Sequence, residues 1–488
     1  MHVDTPATVA VLGAGPIGLE AALYARYLGY TVDVYERDRV GEHLQQFGHV
    51  RLFSPFGMNA SPLGVAALAA QDAAWHPPDD LALLTAAEYV QQYLLPLAQS
   101  DLLAGNVHEQ TEVLFVGRES LRKSDRPGSK SRAQQPFRLL LRDAEGREFT
   151  AAADVVIDAT GNYGNPNWAG AGGIPALGER RLRKQAARQK RNERLIEYGL
   201  PDIAGKERKH FAGKKVLVIG SGYSAATNVL ALLELAKRED RGEIVWVTRL
   251  QPAEDQQGSG PIPRIPGDPL AERDRIAAAA NAAVDSSWVQ HLPGWLVESF
   301  EPQGDSLRVR LVQALPVSTD DPDADLIEAD DADDELEESV GTQGGELDHG
   351  AADQRGEPSG REGQEDDDSP SREVMEIVVD RVLANVGFRP DRGLYRELQL
   401  HECYASEGPM KLAAVLLGEA SGDCLAQPSG GPQALLNPEP NFYVLGAKSY
   451  GRTSKFLMAQ GLDQIRDLFR IVGGREGLDD YRTMGRGR

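Results

Sequence analysis

The chain has 488 residues, 41% of them hydrophobic, and a formal net charge of -22, enough length for about three domains of ordinary size. The acidic excess is local, because residues 320–373 hold 22 Asp and Glu against 3 Arg, so the remainder is nearly neutral and gives no basic footprint for nucleic acid. No apolar run approaches the ~18 residues of a membrane span, and two cysteines, Cys403 and Cys424, offer neither a disulfide framework nor a metal-ligand spacing, which leaves difficult chemistry to a bound cofactor.

The first predicted element, Thr8 to Leu12 (TVAVL), is a short apolar strand with no basic n-region or hydrophobic signal core before it, so a cytoplasmic location is expected. It runs into Gly13-Ala14-Gly15-Pro16-Ile17-Gly18 and an Ala-rich helix ending near Gly29. Gly13 permits a tight turn, Gly15 lets backbone approach a pyrophosphate, and Gly18 allows close helix-strand packing, while the helix N-terminus supplies N–H groups and positive dipole. The next strand, Thr31 to Tyr35, ends in Glu36, 23 residues after Gly13, where a carboxylate accepts hydrogen bonds from an adenosine ribose. A glycine pattern alone also fits a tight turn in an unrelated fold; the ordered combination with Glu36 points to an adenine dinucleotide.

Strands Val113 to Val116 and Phe137 to Leu141 flank Arg118 to Gln135, a basic, Ser-rich stretch that reads as a surface insertion. Val155 to Asp158 is a buried strand closing on Ala159-Thr160-Gly161, and Arg180 to Arg194, with eight Lys or Arg, has a helical composition and joins two blocks. A second strand, turn and helix follow at Lys215 to Ile219, Gly220-Ser221-Gly222-Tyr223-Ser224-Ala225 and onward through Leu233, with Ala225 in place of the third glycine. Its next strand, Ile244 to Val247, leads to Thr248-Arg249 and lacks a terminal acid. A guanidinium there can pair with a 2'-phosphate, favouring NADPH, or can simply meet solvent or a neighbouring acid.

Leu307 to Val312 and Met375 to Val379 read as two strands of one hairpin, with the acidic stretch Ser318 to Arg372 as its loop. Lengthening such a loop from about 4 to about 55 residues costs only roughly 2 kcal/mol. Without an aromatic residue the stretch cannot bury enough apolar surface to fold alone, so it reads as a disordered decoration, with a tail for a basic partner as the other reading. Val382 to Pro390, containing Gly387, repeats the small-residue crossover of Thr160-Gly161, which lets chain pass close to a dinucleotide. Phe442 to Gly446 is a last strand, and a helix is predicted from about Ser454 to Arg470.

These features, in this order over nearly the whole chain, resemble the flavoproteins with two dinucleotide-binding domains, a superfamily that holds flavin-containing monooxygenases and pyridine nucleotide-disulfide reductases. The resemblance implies an α/β fold of two Rossmann-like domains, the NADP domain inserted into the FAD domain. Residues 1–178 and 391–488 would form the FAD domain, 179–210 a linker, 211–317 and 373–390 the NADP domain, and 318–372 the disordered acidic insertion. FAD would lie on Gly13, Gly15, Gly18, Glu36, Thr160, Gly161, Gly446 and Lys448, the last a cation favouring anionic reduced flavin. NADPH would lie on Gly220, Gly222, Ser224, Ala225, Arg249 and Gly387. The segment Phe47 to Pro55 falls where the superfamily places residues over the flavin, so His49 and Asn59 are catalytic candidates, against loop packing or an Asx turn as the other reading. Three departures narrow the choice: no Cys-x-x-Cys or Cys-x4-Cys pair, Gly446-Ala447 in place of Gly-Asp, and only half of the Phe-x-Gly-x-x-x-His fingerprint at Phe211-Ala212-Gly213. The expected activity is NADPH-driven oxygenation of a small nucleophilic substrate. A reductase acting on a quinone, thiol or protein acceptor, and a non-enzymatic nucleotide sensor, are the alternatives.

Overall fold

The computed structural model describes residues 2–190, 193–249, 260–315, 372–418 and 430–484. The body of the acidic stretch, with its two expected roles, and Cys424 lie outside the described residues.

Two parallel sheets organise the chain. The first is built from β1 (Thr8–Leu12), β2 (Thr31–Tyr35), β3 (Val107–His108), β7 (Val155–Asp158) and β16 (Phe442–Val444), in the order β16-β7-β1-β2-β3. β7 is buried along its whole length and β1 along all but its first residue. That burial on both faces explains why their sequences are near-continuous apolar runs with no alternation. The helix Pro16–Tyr27 opens on a proline, whose fixed φ suits the first turn. It packs against the helix Met458–Val472, with Tyr24 stacked on Phe469 at 5.1 Å. The latter helix begins four residues later than the sequence suggested, where Leu457 N–H donates to Gln460 Oε1 at 2.7 Å.

The second sheet contains β8 (Ile196–Glu197), β9 (Lys215–Ile219), β10 (Glu243–Thr248), β11 (Val289–Pro293) and β15 (Arg381–Ala384), ordered β11-β10-β9-β15-β8. Its glycine turn feeds the helix Tyr223–Glu239, which runs beyond Leu233 and stops at Asp240 in the left-handed region. β8 corrects one expectation: the stretch 179–210, read as a linker, supplies an edge strand here, and its helix, Glu179–Ala186, is shorter than the basic run.

Two antiparallel sheets flank these. One holds β4 (Glu112–Arg118), β5 (Phe137–Arg142) and β6 (Glu148–Ala153); the other holds β12 (Trp295–Gln303), β13 (Ser306–Gln313) and β14 (Val374–Val379). β13 and β14 pair from Leu307 opposite Val379 to Val312 opposite Val374, as the alternation of Leu307, Val309 and Leu311 required. The stretch from Arg118 to Gln135 is no plain surface insertion. Arg118 and Arg132 are buried and both bind Glu439, at 2.8 Å each, which ties this stretch to the C-terminal part of the chain.

The chain crosses between the parallel sheets at residues 159–168 and 385–390, and these crossings are bonded to each other. Asn167 N–H donates to the Gly387 carbonyl and Arg389 N–H to the Asn165 carbonyl, both at 3.0 Å. The Asn165 and Asn167 amides reach the Pro390 and Val386 carbonyls at 3.3 and 3.1 Å. Among the described residues no helix is long and apolar enough to cross a membrane.

Candidate functional site

Both glycine turns sit at the carboxyl ends of parallel strands, beside the points where the chain leaves one sheet for the other. At the first, Gly13 has φ +97°, and an added Cβ would lie 2.9 Å from the Ala159 carbonyl oxygen; a Cβ on Gly18 would lie 1.9 Å from the Gly13 carbonyl oxygen. Close packing therefore demands glycine at both. Gly15 differs, with no atom within 4 Å of the Cβ direction, so its backbone faces room rather than protein. Glu36 reaches back over this turn: Oε2 accepts the Ala14 N–H at 2.8 Å and Oε1 the Asp38 N–H at 2.9 Å. Burial pushes its carboxyl above the ordinary range, against the pull of those two N–H groups.

The second turn repeats the geometry. Gly220 has φ +125° and a Cβ there would strike the Asn385 carbonyl oxygen at 2.2 Å, whereas Gly222 again faces open space. Ala225, fully buried in the core of this unit, fills the place of a third glycine. Ser224 is half-buried in the first helical turn, and Gly387 has φ +78° on the second crossing. Arg249 stands exposed just past β10. Arg264, the other arginine that could share a phosphate there, is held by Asp274 through two 2.8 Å bonds.

Thr160 and Gly161 lie where β7 runs out. Thr160 Oγ1 donates to Asp158 Oδ1 at 2.7 Å and accepts from Lys448 Nζ at 3.0 Å, while Gly161 has φ +66°. Gly446, at φ +69°, packs on Ile17 and donates its N–H to Gln464 Oε1 at 2.9 Å. Lys448 corrects its sequence reading. It reaches this region, yet its side chain is 1% exposed and Nζ sits 2.6 Å from Asp158 Oδ2, with the Tyr395 ring 5.0 Å away. Its charge is neutralised inside the protein and is not free to face a reduced flavin.

The two catalytic candidates lie on one segment in unlike surroundings. Asn59 is buried; its Oδ1 accepts from Ser54 Oγ at 2.6 Å, its Nδ2 donates to the Ser54 carbonyl at 3.0 Å, and its own carbonyl accepts from Tyr89 at 2.6 Å. The side chain closes the turn from 54 to 59. His49 is exposed on the same segment and is not brought to Asn59 by any bond between them among the described residues.

Aromatic residues not named as site candidates from the sequence stand at the junction. Tyr163, two positions after Gly161 and half exposed, meets Phe388 of the other crossing at 4.9 Å, Phe47 at 5.7 Å and His43 at 6.2 Å. Burial, with Arg37 nearby, lowers the His43 imidazole from its ordinary value. Phe53 crosses to the second unit and meets Tyr223, the residue after Gly222, edge-on at 5.4 Å. Phe47 and Phe53 lie in the segment 47–55 already singled out from the sequence, while Tyr163, Tyr223 and Phe388 each follow a turn or crossing glycine by one or two positions.

The fold is shared with solved disulfide and thioredoxin reductases and a monooxygenase. Bacillithiol disulfide reductase Bdr (YpdA) from Bacillus cereus superposes with a TM-score of 0.58 over 96% of this chain and 100% of its own, at 14% identity. DfoA, the cadaverine monooxygenase of desferrioxamine biosynthesis from Erwinia amylovora, solved bound to FAD, gives 0.54 over 97% and 96% at 13% identity. Thioredoxin reductase from T. acidophilum gives 0.51 over 96% and 98% at 12% identity. No protein-family model and no curated protein matches the sequence. The structural likeness therefore spans a monooxygenase and disulfide and thioredoxin reductases. Cys403 is buried, its Sγ accepting the Ser406 N–H at 3.5 Å, a bond that lowers its thiol below the usual value. Among the described residues no group of three or more His, Cys, Asp or Glu could hold a metal.

Proposed function

We propose that this chain is an FAD-dependent, NADPH-preferring oxidoreductase. The observation that carries the reading is the paired glycine geometry: Gly13 and Gly220 are forced by backbone contact, while Gly15 and Gly222 face room. A chain that only needed tight turns would have no reason to keep the second position bare in both units. FAD fits the first turn, with Glu36 toward its ribose, and NADPH the second, with Arg249 toward its 2'-phosphate. When bound, these groups supply hydride acceptance and electron transfer. The protein's part is to hold both dinucleotides at the strand ends, to turn backbone N–H groups toward the pyrophosphates, and to keep water from the junction with Phe47, Phe53, Tyr163 and Phe388.

Within that class the reading favoured is oxygenation of a small nucleophilic substrate. Support comes from Cys403, which is buried and separated in sequence from Cys424 by 21 positions, a poor arrangement for a dithiol relay. Anaerobic reduction by NADPH followed by rapid mixing with oxygen tests it. Slow return of the oxidised flavin spectrum supports oxygenation; immediate return supports a reductase of a quinone, thiol or protein acceptor. Bound FAD that NADPH does not bleach would refute both enzymatic readings.

A further inference from the structure

The helix Glu179–Ala186 has two unlike faces. Leu182 is buried beside Phe300, Leu307 and Val309 of the β12-β13-β14 sheet. The other face presents Arg180, Arg181 and Lys184, continued by Arg188; all four are exposed, and with Gln185 they line a concavity of about 360 Å³. Elsewhere on the described surface arginines are commonly paired, as Arg208, Arg264 and Arg310 are with Glu239, Asp274 and Glu298. None of the four cations here holds a carboxylate among the described residues. Four like charges at this spacing on one helix face repel one another, and the fold tolerates that repulsion without an answering acid from its own framework.

The opposite charge is tethered nearby. Just before the helix, Leu177 bridges Ser299, and the Phe300 N–H donates to the Leu177 carbonyl at 2.8 Å. Along the same sheet Trp295 pairs with Gln313, the end of β13, and Ser299 lies four residue steps along the strand from Trp295, roughly 13 Å by strand rise. Five residues past Gln313 begins the stretch 318–372, and positions 320–373 carry 22 acids and 3 Arg. We propose that the face formed by Arg180, Arg181, Lys184 and Arg188 is the docking site of this chain's own acidic stretch, residues 318–372. The contact needs no complementary shape, because a polyanion neutralises a row of cations through many exchangeable pairs. Tethering supplies an effective concentration on the order of millimolar, well above that of a free competitor. The inference is independent of the cofactor assignment.

Carbodiimide coupling of the full-length protein tests it. The reagent activates a carboxylate and is released as its urea when Lys184 Nζ attacks, leaving an amide between residues already in contact. Peptide mass spectrometry should find Lys184 joined to an Asp or Glu within 318–372 at low ionic strength, with a yield falling roughly tenfold near 1 M salt, where the screening length shrinks to about 3 Å. The triple variant R180E/R181E/R188E should lose the cross-link at low salt; if it does not fold, the salt response of the wild type decides. Lys184 cross-links confined to carboxylates outside the stretch, or a salt-insensitive yield, would overturn the proposal. So would cross-links found only between copies in a mixture of isotopically distinct protein, or retention on heparin as strong as that of a variant lacking residues 318–372, since both place a different occupant on the face.

Discussion

Replacing Lys448 by Met tests whether the C-terminal part of the chain is locked to the first crossing by charge. Met keeps the apolar stem and removes Nζ from Asp158 Oδ2 and Thr160 Oγ1, at 2.6 and 3.0 Å. Asp158 is fully buried. Its Oδ1 would retain Thr160, by the backbone N–H at 3.1 Å and the hydroxyl at 2.7 Å, but Oδ2 would be left without its cation. An uncompensated buried charge costs roughly 3–5 kcal/mol, because neither water nor a counter-ion replaces the lost partner. For a domain of this size each kcal/mol lowers the midpoint by roughly 2–4 °C, so the loss should be roughly 6–20 °C. Thermal unfolding followed by tryptophan and flavin fluorescence reads it, and flavin should be released earlier as the turn at Thr160 and Gly161 loosens. The double variant K448M/D158N, which removes both charges, should recover most of the loss, since the single variant's cost lies in the orphaned carboxylate. A Lys448→Met protein within roughly 1 kcal/mol of wild type, the range of an exposed pair, would refute the reasoning. A double variant no better than the single would do the same.

Three further outcomes follow from the site and its surroundings. Gly15→Val should abolish flavin content with the fold retained by circular dichroism, because its side chain fills the room beside the first turn; a yellow Gly15→Val protein would contradict the FAD assignment. Arg249→Ala should raise the Michaelis constant for NADPH roughly 10- to 150-fold, from the about 1.5 to 3 kcal/mol of a charge-assisted hydrogen bond. The constant for NADH should hardly move, and since Arg264 is occupied by Asp274, sharing should not blunt the effect; equal changes for both nicotinamides would dismiss Arg249 as the phosphate reader. Glu20 is buried, bonded through Oε1 to Tyr93 and the Ser61 N–H, and its Oε2 has no partner. Burial raises its pKa above the ordinary 4.5, so the stability it lends is full below that value and is lost as pH rises through the higher folded value. Glu20→Gln should flatten that decline in melting curves taken across the acidic to neutral range, and an unchanged slope would assign the decline to another group.

Much of the architecture was legible because its signals are short in sequence. An apolar strand, a glycine turn and an Ala-rich helix are contiguous in each unit, so Thr8–Leu12 and Lys215–Ile219 were found to the residue. The β13-β14 hairpin was found across more than 50 positions because alternation on both sides survives any loop between them. What escaped depends on partners far apart in the chain. Nothing around Arg118 or Arg132 distinguishes a buried guanidinium from a solvated one until Glu439 arrives more than 300 positions later. Lys448 was read as a cation for the reduced flavin for the same reason, its partner Asp158 lying 290 positions upstream. Asn59 was left with two readings, since loop packing and a catalytic amide use the same residue, and its bonds to Ser54 have no sequence signature. β8 is two residues long, too short for any periodicity.

The strand order of the first sheet carries a consequence for how the protein is made. β16 takes its edge beside β7, yet it leaves the ribosome after every strand of the second sheet has been synthesised. The N-terminal unit is thus still open when the inserted unit is already complete, and Arg118 and Arg132 must stay hydrated until Glu439 emerges. At about 5–20 residues per second, the 307 positions from Arg132 to Glu439 amount to roughly 15–60 seconds. Through that interval the bare flank of β7 is an unpaired strand edge, which is the kind of surface that nascent-chain chaperones hold. Truncations ending before Phe442 should accordingly leave a soluble second unit attached to an aggregation-prone first one.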